Sequence, residues 1–246
     1  MSEETFWLLF LLPTGFVAGV INVLAGGGSF LTLPVLIAAG LPVHVANGTN
    51  RISVVFQGIF AAASYRNQGE FDAALYRRLL PPLLLGAIVG ALFATFIDPE
   101  GLRTTFGILF LLMALALVTR SRWSKASAPQ VHPLRYPALF VIGIYGGFIQ
   151  AGVGLWILLG STGLFAADAV RANSVKLPLT LTFTFPALLI FLHADMVEWL
   201  PGLVLALGTV LGTAVGVRLS IRGGAPLIFR AVTVVLFATG VRLLVP

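Results

Sequence analysis

Ten apolar stretches separated by short loops leave this chain little choice of environment. They lie near residues 5 to 24, 29 to 40, 46 to 65, 77 to 97, 101 to 119, 136 to 151, 154 to 166, 171 to 192, 197 to 217 and 227 to 245. Most reach the roughly 20 residues that a membrane-spanning helix needs. Apolar residues make up 58% of the 246 and charged residues only 10%, whereas a soluble domain carries about a quarter charged. The expected fold class is an all-α polytopic membrane protein of roughly 8 to 10 membrane segments. The sequence holds no cysteine, which excludes disulfides, thiol catalysis and thiolate metal sites.

The net charge of +6 does not point to nucleic acid, because the basic residues sit in short loops rather than on a polar domain. Arg66, Arg77 and Arg78 fall in one loop, Arg120, Arg122, Lys125 and Arg135 in another, and Arg218, Arg222 and Arg230 in the penultimate turn. The positive-inside rule makes these loops cytoplasmic. The remaining loops hold Asp98, Glu100, Asp195 and Glu198 with only Arg103 among them, and Glu3 and Glu4 precede the first stretch. Both termini are then expected outside. The acidic start does not resemble a cleavable signal peptide.

A short internal match suggests that one membrane module occurs twice. Val45-Ala46-Asn47-Gly48-Thr49-Asn50-Arg51 lies over Val170-Arg171-Ala172-Asn173-Ser174-Val175-Lys176, so that Arg51 faces Lys176 at an offset of about 125 positions. Five elements per copy is an odd number, which gives the copies opposite orientation. The expected architecture is two inverted five-element repeats, residues 1–120 and 135–246, each a glycine-broken short helix hairpin followed by three spanning helices. The polar segment Ser121 to His132 marks the cytoplasmic linker, taken as 121–134. The second elements, 29 to 40 and 154 to 166, are short and glycine-interrupted, a pattern that points to a binding site.

The first half contains Gly15-xxx-Gly19 leading to Gly26-Gly27-Gly28, with Pro34 following. Three successive glycines lower helix stability by about 1 kcal/mol each relative to Ala, so the helix is expected to break there. Further motifs are Ala46-Asn47-Gly48-Thr49, Tyr65 to Asp72 (YRNQGEFD), Gly86-xxx-Gly90 and Gly208-xxx-Gly212-xxx-Gly216. In this ordered set the chain resembles the sulfite exporter TauE/SafE family, also called the 4-toluene sulfonate uptake permeases, over nearly its whole length. The resemblance implies a multi-pass permease of the bacterial or archaeal inner membrane, moving sulfite, sulfonates or related sulfur oxyanions. The second half departs from the pattern, with only Gly152 and Gly154 and with Leu155-Trp156 where small residues are expected.

Arg51 and Lys176 lie about five residues into their expected helices, roughly a turn or more below the surface. A charge at that depth costs about 2.5 to 3.5 kcal/mol on insertion scales. No Asp or Glu is expected there to offset it, and an anionic substrate would. The competing reading is that both side chains snorkel to the headgroups. Asn47, Thr49, Asn50, Asn173 and Ser174 sit at the starts of the same helices, where they either hold oxyanion oxygens beside the positive dipole end or cap the helices. Gly26, Gly27, Gly28, Gly152 and Gly154 either turn backbone amides toward the anion or allow close packing. Asn22, Gln57 and Gln150 either touch the ligand or join helices by hydrogen bonds. His44, His132 and His193 have no spacing that would build a metal site, and no cofactor is expected.

The leading reading is a secondary carrier in which two halves rock around an anion held between Arg51 and Lys176. An anion-selective channel or a uniporter of another substrate class would use the same residues. An intramembrane enzyme lacks support, since neither His-Glu-x-x-His nor Gly-x-Ser-x-Gly occurs. The expected partners are a small anion and the lipid bilayer; monomer and homodimer both fit the sequence.

Overall fold

The structure, a computed structural model, describes residues 3–67, 71–123, 133–165, 167, 169–222 and 241. Among them the regular structure is helical: α1 (Glu3–Ala25), α2 (Ser29–Ala38), α3 (Val43–Asn67), α4 (Ala73–Phe96), α5 (Pro99–Trp123), α6 (Arg135–Phe148), α7 (Val153–Phe165), α8 (Ala169–His193) and α9 (Trp199–Arg222). These coincide with the first nine apolar stretches. The tenth, 227 to 245, falls outside the described residues apart from position 241. Of the expected linker, residues 124–132 also lie outside them, while α5 continues helically to Trp123.

Four of these helices are long and apolar enough to cross a bilayer, over Thr5–Leu24, Ala73–Phe96, Arg171–His193 and Trp199–Leu219. Their apolar side chains face outward, with Leu85, Phe93, Phe96, Leu207 and Leu211 exposed, while Asn50, Arg51, Gln57 and Lys176 are buried. That distribution inverts the rule for soluble proteins and suits a lipid surround, where polar groups must find partners within the bundle. The chain is an all-helical membrane protein.

The expected helix breaks are present. Gly26 adopts φ +75 and ends α1, and Gly152 adopts φ +73 just before α7. This left-handed backbone carries little penalty only for glycine. Beside the second break Gln150 also has positive φ, at 61, so α6 stops at Phe148 and is shorter than its apolar stretch. At the breaks the chains touch without side chains between them, since a Cβ on Gly154 would lie 2.8 Å from the Gly26 Cα.

Two helix pairs cross at close range. Helix α1 lies along α9 and α6 along α4, while α3 packs on α8 and α9 and α4 also packs on α8. The close crossings are built from the Gly-xxx-Gly motifs: Gly15 meets Gly208 and Gly86 meets Gly143. Small residues let the backbones approach until dispersion contacts accumulate. A Cβ on Gly147 would collide with the backbone of Ala87. Gly147→Ala is therefore expected to lower stability by about 1 to 3 kcal/mol, read by denaturant unfolding in detergent.

The helix ends fix the alternation. The Thr49 hydroxyl accepts from the Glu198 N–H at 2.9 Å, which puts the starts of α3 and α9 at one end of the bundle. At the other end Asp72 caps α4, accepting from the N–H groups of Ala74 at 3.1 Å and Leu75 at 2.9 Å, and pairs with Arg171 of α8. The Leu75 N–H first, and then the Arg171 guanidinium, hold the Asp72 carboxyl below its ordinary value, against a smaller upward push from partial burial. A depressed carboxyl contributes stability that is complete above its unfolded value of about 4 and is lost as the pH falls through the folded one. Asp72→Ala should cost about 1 kcal/mol at neutral pH, and the difference from the native chain should shrink in acid unfolding measurements.

Candidate functional site

The two intramembrane cations are held alike. Helix α3 starts at Val43 and α8 at Ala169, earlier than their apolar stretches suggest, which places Arg51 and Lys176 roughly two turns in. Both side chains are 0% exposed, so neither snorkels to the surface of the bundle. Arg51 reaches across to the C-terminal end of α6, donating to the carbonyls of Gly146 at 3.4 Å and Gly147 and to Oε1 of Gln150 at 2.7 Å. Its guanidinium carbon stacks 4.5 Å from the Phe191 ring centroid, a cation–π contact. Lys176 reaches to the C-terminal end of α1, donating to the Val23 carbonyl and to Oδ1 of Asn173, each at 2.8 Å.

The physical logic is shared. The last carbonyls of a helix have no intrahelical donor and carry about half a negative charge between them. At each break the last carbonyls are buried within the bundle, where water does not serve them. A buried cation from the other half of the chain does so instead. Asn47 adds to the same cluster by donating to the Phe148 carbonyl at 2.7 Å. Its Oδ1 and the Arg51 Nε are buried without a protein partner.

A second constellation is a narrow polar crevice between α1, α2, α3 and α9, too tight in this conformation to hold a water molecule. Asn22, Gly28 and Ser29 line it at the first break, Thr32 follows one turn into α2, and Asn50, Ser53 and Gln57 face it from α3. Its groups are hydrogen-bonded to one another. Asn22 donates to Gln57 Oε1 at 2.6 Å, Thr32 to Asn50 Oδ1 at 2.6 Å, and Asn50 to Ser29 Oγ at 3.0 Å. The Gly28 N–H points to Asn22 Oδ1 at 3.4 Å, and no side chain caps α2. The positive end of that helix therefore faces the crevice. No charged side chain lines it.

The structure thus brings Asn22, Gly28 and Asn50 together at the crevice, and Arg51, Gln150 and Asn47 together at the end of α6. Lys176 and Asn173 join the end of α1. Thr49 lies at the far end against Glu198, and the Ser174 hydroxyl bonds back to the Arg171 carbonyl at 2.8 Å. Gly26 and Gly154 form the backbone contact, Gly27 abuts the Phe30 ring, and Gly152 sits under that same ring. Gln150 also donates to Thr184 at 2.7 Å, and Gln57 to Thr213 at 2.7 Å, so all three buried amides do join helices. Ser29, Thr32, Ser53 and Thr209 line the crevice without having been singled out in the sequence. The signal for Ser53 was available: Asn50, Ser53 and Gln57 follow Asn47 at helical spacing on one face of α3. Among the described residues no group of His, Asp and Glu side chains could hold a metal ion.

Arg51→Met would leave two carbonyls and the Gln150 amide oxygen without donors in a dry interior. A loss of about 3 kcal/mol is expected, measured by unfolding in detergent, with Arg51→Lys losing less because the charge remains.

Apolar-faced helices around an interior that is polar and, among the described residues, free of buried carboxylates suit a membrane transporter. A profile of the family described as Sulfite exporter TauE/SafE matches residues 11–243, and the chain belongs to that family. It is similar to the probable membrane transporter protein ORF9 of a Sinorhizobium species, 32% identical over 254 residues that cover 99% of this chain and 95% of the relative. It is also similar to a probable membrane transporter protein of Haemophilus influenzae, 25% identical with 94% and 91% covered, and to the probable membrane transporter protein YfcA of Escherichia coli K12, 25% identical with 98% and 94% covered. No solved structure matches the chain.

Proposed function

We propose that this transporter carries small oxyanions, with sulfite, sulfonates and other organosulfur oxyanions as the substrate class, by alternating access between two inverted five-element repeats. The observation that carries the anion reading is a neutral hydrogen-bonding crevice at the N-terminal end of α2, in an interior that holds two buried cations and no buried carboxylate among the described residues. A helix end offsets about half a unit charge, so the Arg51 guanidinium keeps a positive field at the end of α6. In this reading Asn22, Gly28, Ser29, Asn50 and Ser53 contact the anion. Arg51 and Lys176 supply the attractive field, and the Arg51 Nε retains a proton to donate. The family name supports the sulfur oxyanion class.

The repeat reading is supported by reciprocal packing. Pairing α1 with α6, α2 with α7, α3 with α8 and α4 with α9 turns the contact of α1 on α9 into that of α6 on α4, and α3 on α9 into α8 on α4. The cation contacts exchange in the same way. The 1–120 and 135–246 halves, the cytoplasmic 121–134 linker, the outside termini and the inner-membrane location belong to this proposal.

The test is counterflow of radiolabelled sulfite and methanesulfonate in proteoliposomes. Saturable, trans-stimulated flux is expected, and Asn50→Leu should reduce it at least about tenfold by removing a donor from the dry site. Flux without saturation or trans-stimulation would identify a channel, and no flux of either anion would remove the substrate class.

A further inference from the structure

Most polar positions of the first-half crevice fall on apolar residues in the second half. We propose that one chain holds one anion at a time, beside α2, and that the matching volume in the second half is a filled bearing that binds nothing. This rests on the anion-carrier reading and on the pairing of the halves given above.

With Gly26 and Gly28 set on Gly152 and Gly154, Ser29 falls on Leu155 and Thr32 on Leu158. Along α3 and α8, Asn50 falls on Val175 and Ser53 on Pro178. With Gly208 and Gly212 set on Gly86 and Gly90, Thr209 of the crevice falls on Ala87. At these five positions a hydroxyl or amide is replaced by hydrocarbon, while Gln57 falls on Thr182, whose hydroxyl pairs with that of Tyr76 at 2.6 Å. Ala87, Val153, Val175 and Phe183 of that second region belong to one buried apolar cluster. Gly146, the counterpart of Ala18, already has the Val153 methyl 2.7 Å and the Phe183 ring 3.1 Å from where a Cβ would stand. Gln150, the counterpart of Asn22, turns instead to Arg51 and Thr184. An oxyanion entering there would shed its water and find no donors in exchange.

The chain contains no cysteine, so single thiols report on each volume directly. Ser53→Cys and Val175→Cys change few atoms and are to be labelled in proteoliposomes with the small anionic reagent 2-sulfonatoethyl methanethiosulfonate. Ser53→Cys should react at least about ten times faster, since thiol reactivity follows access, and methanesulfonate should slow that reaction alone. Equal rates at the two positions, or no labelling of Ser53→Cys, would overturn the single-site proposal. Fast labelling of Ser53→Cys that methanesulfonate does not slow would uphold the asymmetry and remove the sulfonate from the substrate class.

Discussion

The structure depends on helix ends buried within the bundle and on the cations that serve them. Where α1 and α6 stop, their last carbonyls lie in an interior without water to donate to them. Lys176 serves one end and Arg51 the other. Each cation in turn depends on its carbonyls, because it lies 0% exposed. Neither partner is stable in lipid alone, and together they lock two helix breaks in place. Every other feature of the interior, from the orientation of α2 to the glycine contact between the breaks, follows from those breaks.

The second constraint is close approach. Helices in lipid gain no hydrophobic drive from association, so they associate through dispersion and polar contacts at short range. The paired glycines of α1 with α9 and of α4 with α6 set that range. They bring Gln57 of α3 within reach of Asn22 and Thr213. A polar crevice survives in the bundle only because its amides and hydroxyls satisfy one another while nothing else is present.

Much of the fold was legible in the sequence because the bilayer admits few solutions. Apolar runs gave the helices, and the triple glycine at 26 to 28 gave the break. The boundaries of α6 were not legible, since they depend on Gln150 taking a left-handed backbone that its amide bonds to Arg51 and Thr184 help to hold. Arg51 and Lys176 stood out as unneutralised charges in an apolar chain. What they touch did not, because backbone carbonyls carry no letter in a sequence and a helix end becomes visible only once it has a position. Ser29, Thr32 and Thr209 were hidden for a related reason: lone hydroxyls in helices commonly bond back to their own backbone, and only the crevice separates these from the rest.

The contact between Gly26 and Gly154 has a mechanical meaning. Interlocked side chains resist rotation, because each must leave one groove and find another before the surfaces can settle again. Here the Gly26 and Gly154 peptides meet directly, and the Phe30 ring lying over Gly152 is the side chain that would have to re-sort. In the alternating-access reading proposed above, such a contact is a pivot of small radius, about which the lengths of the helices would convert a slight turn at the centre into a larger displacement at each end.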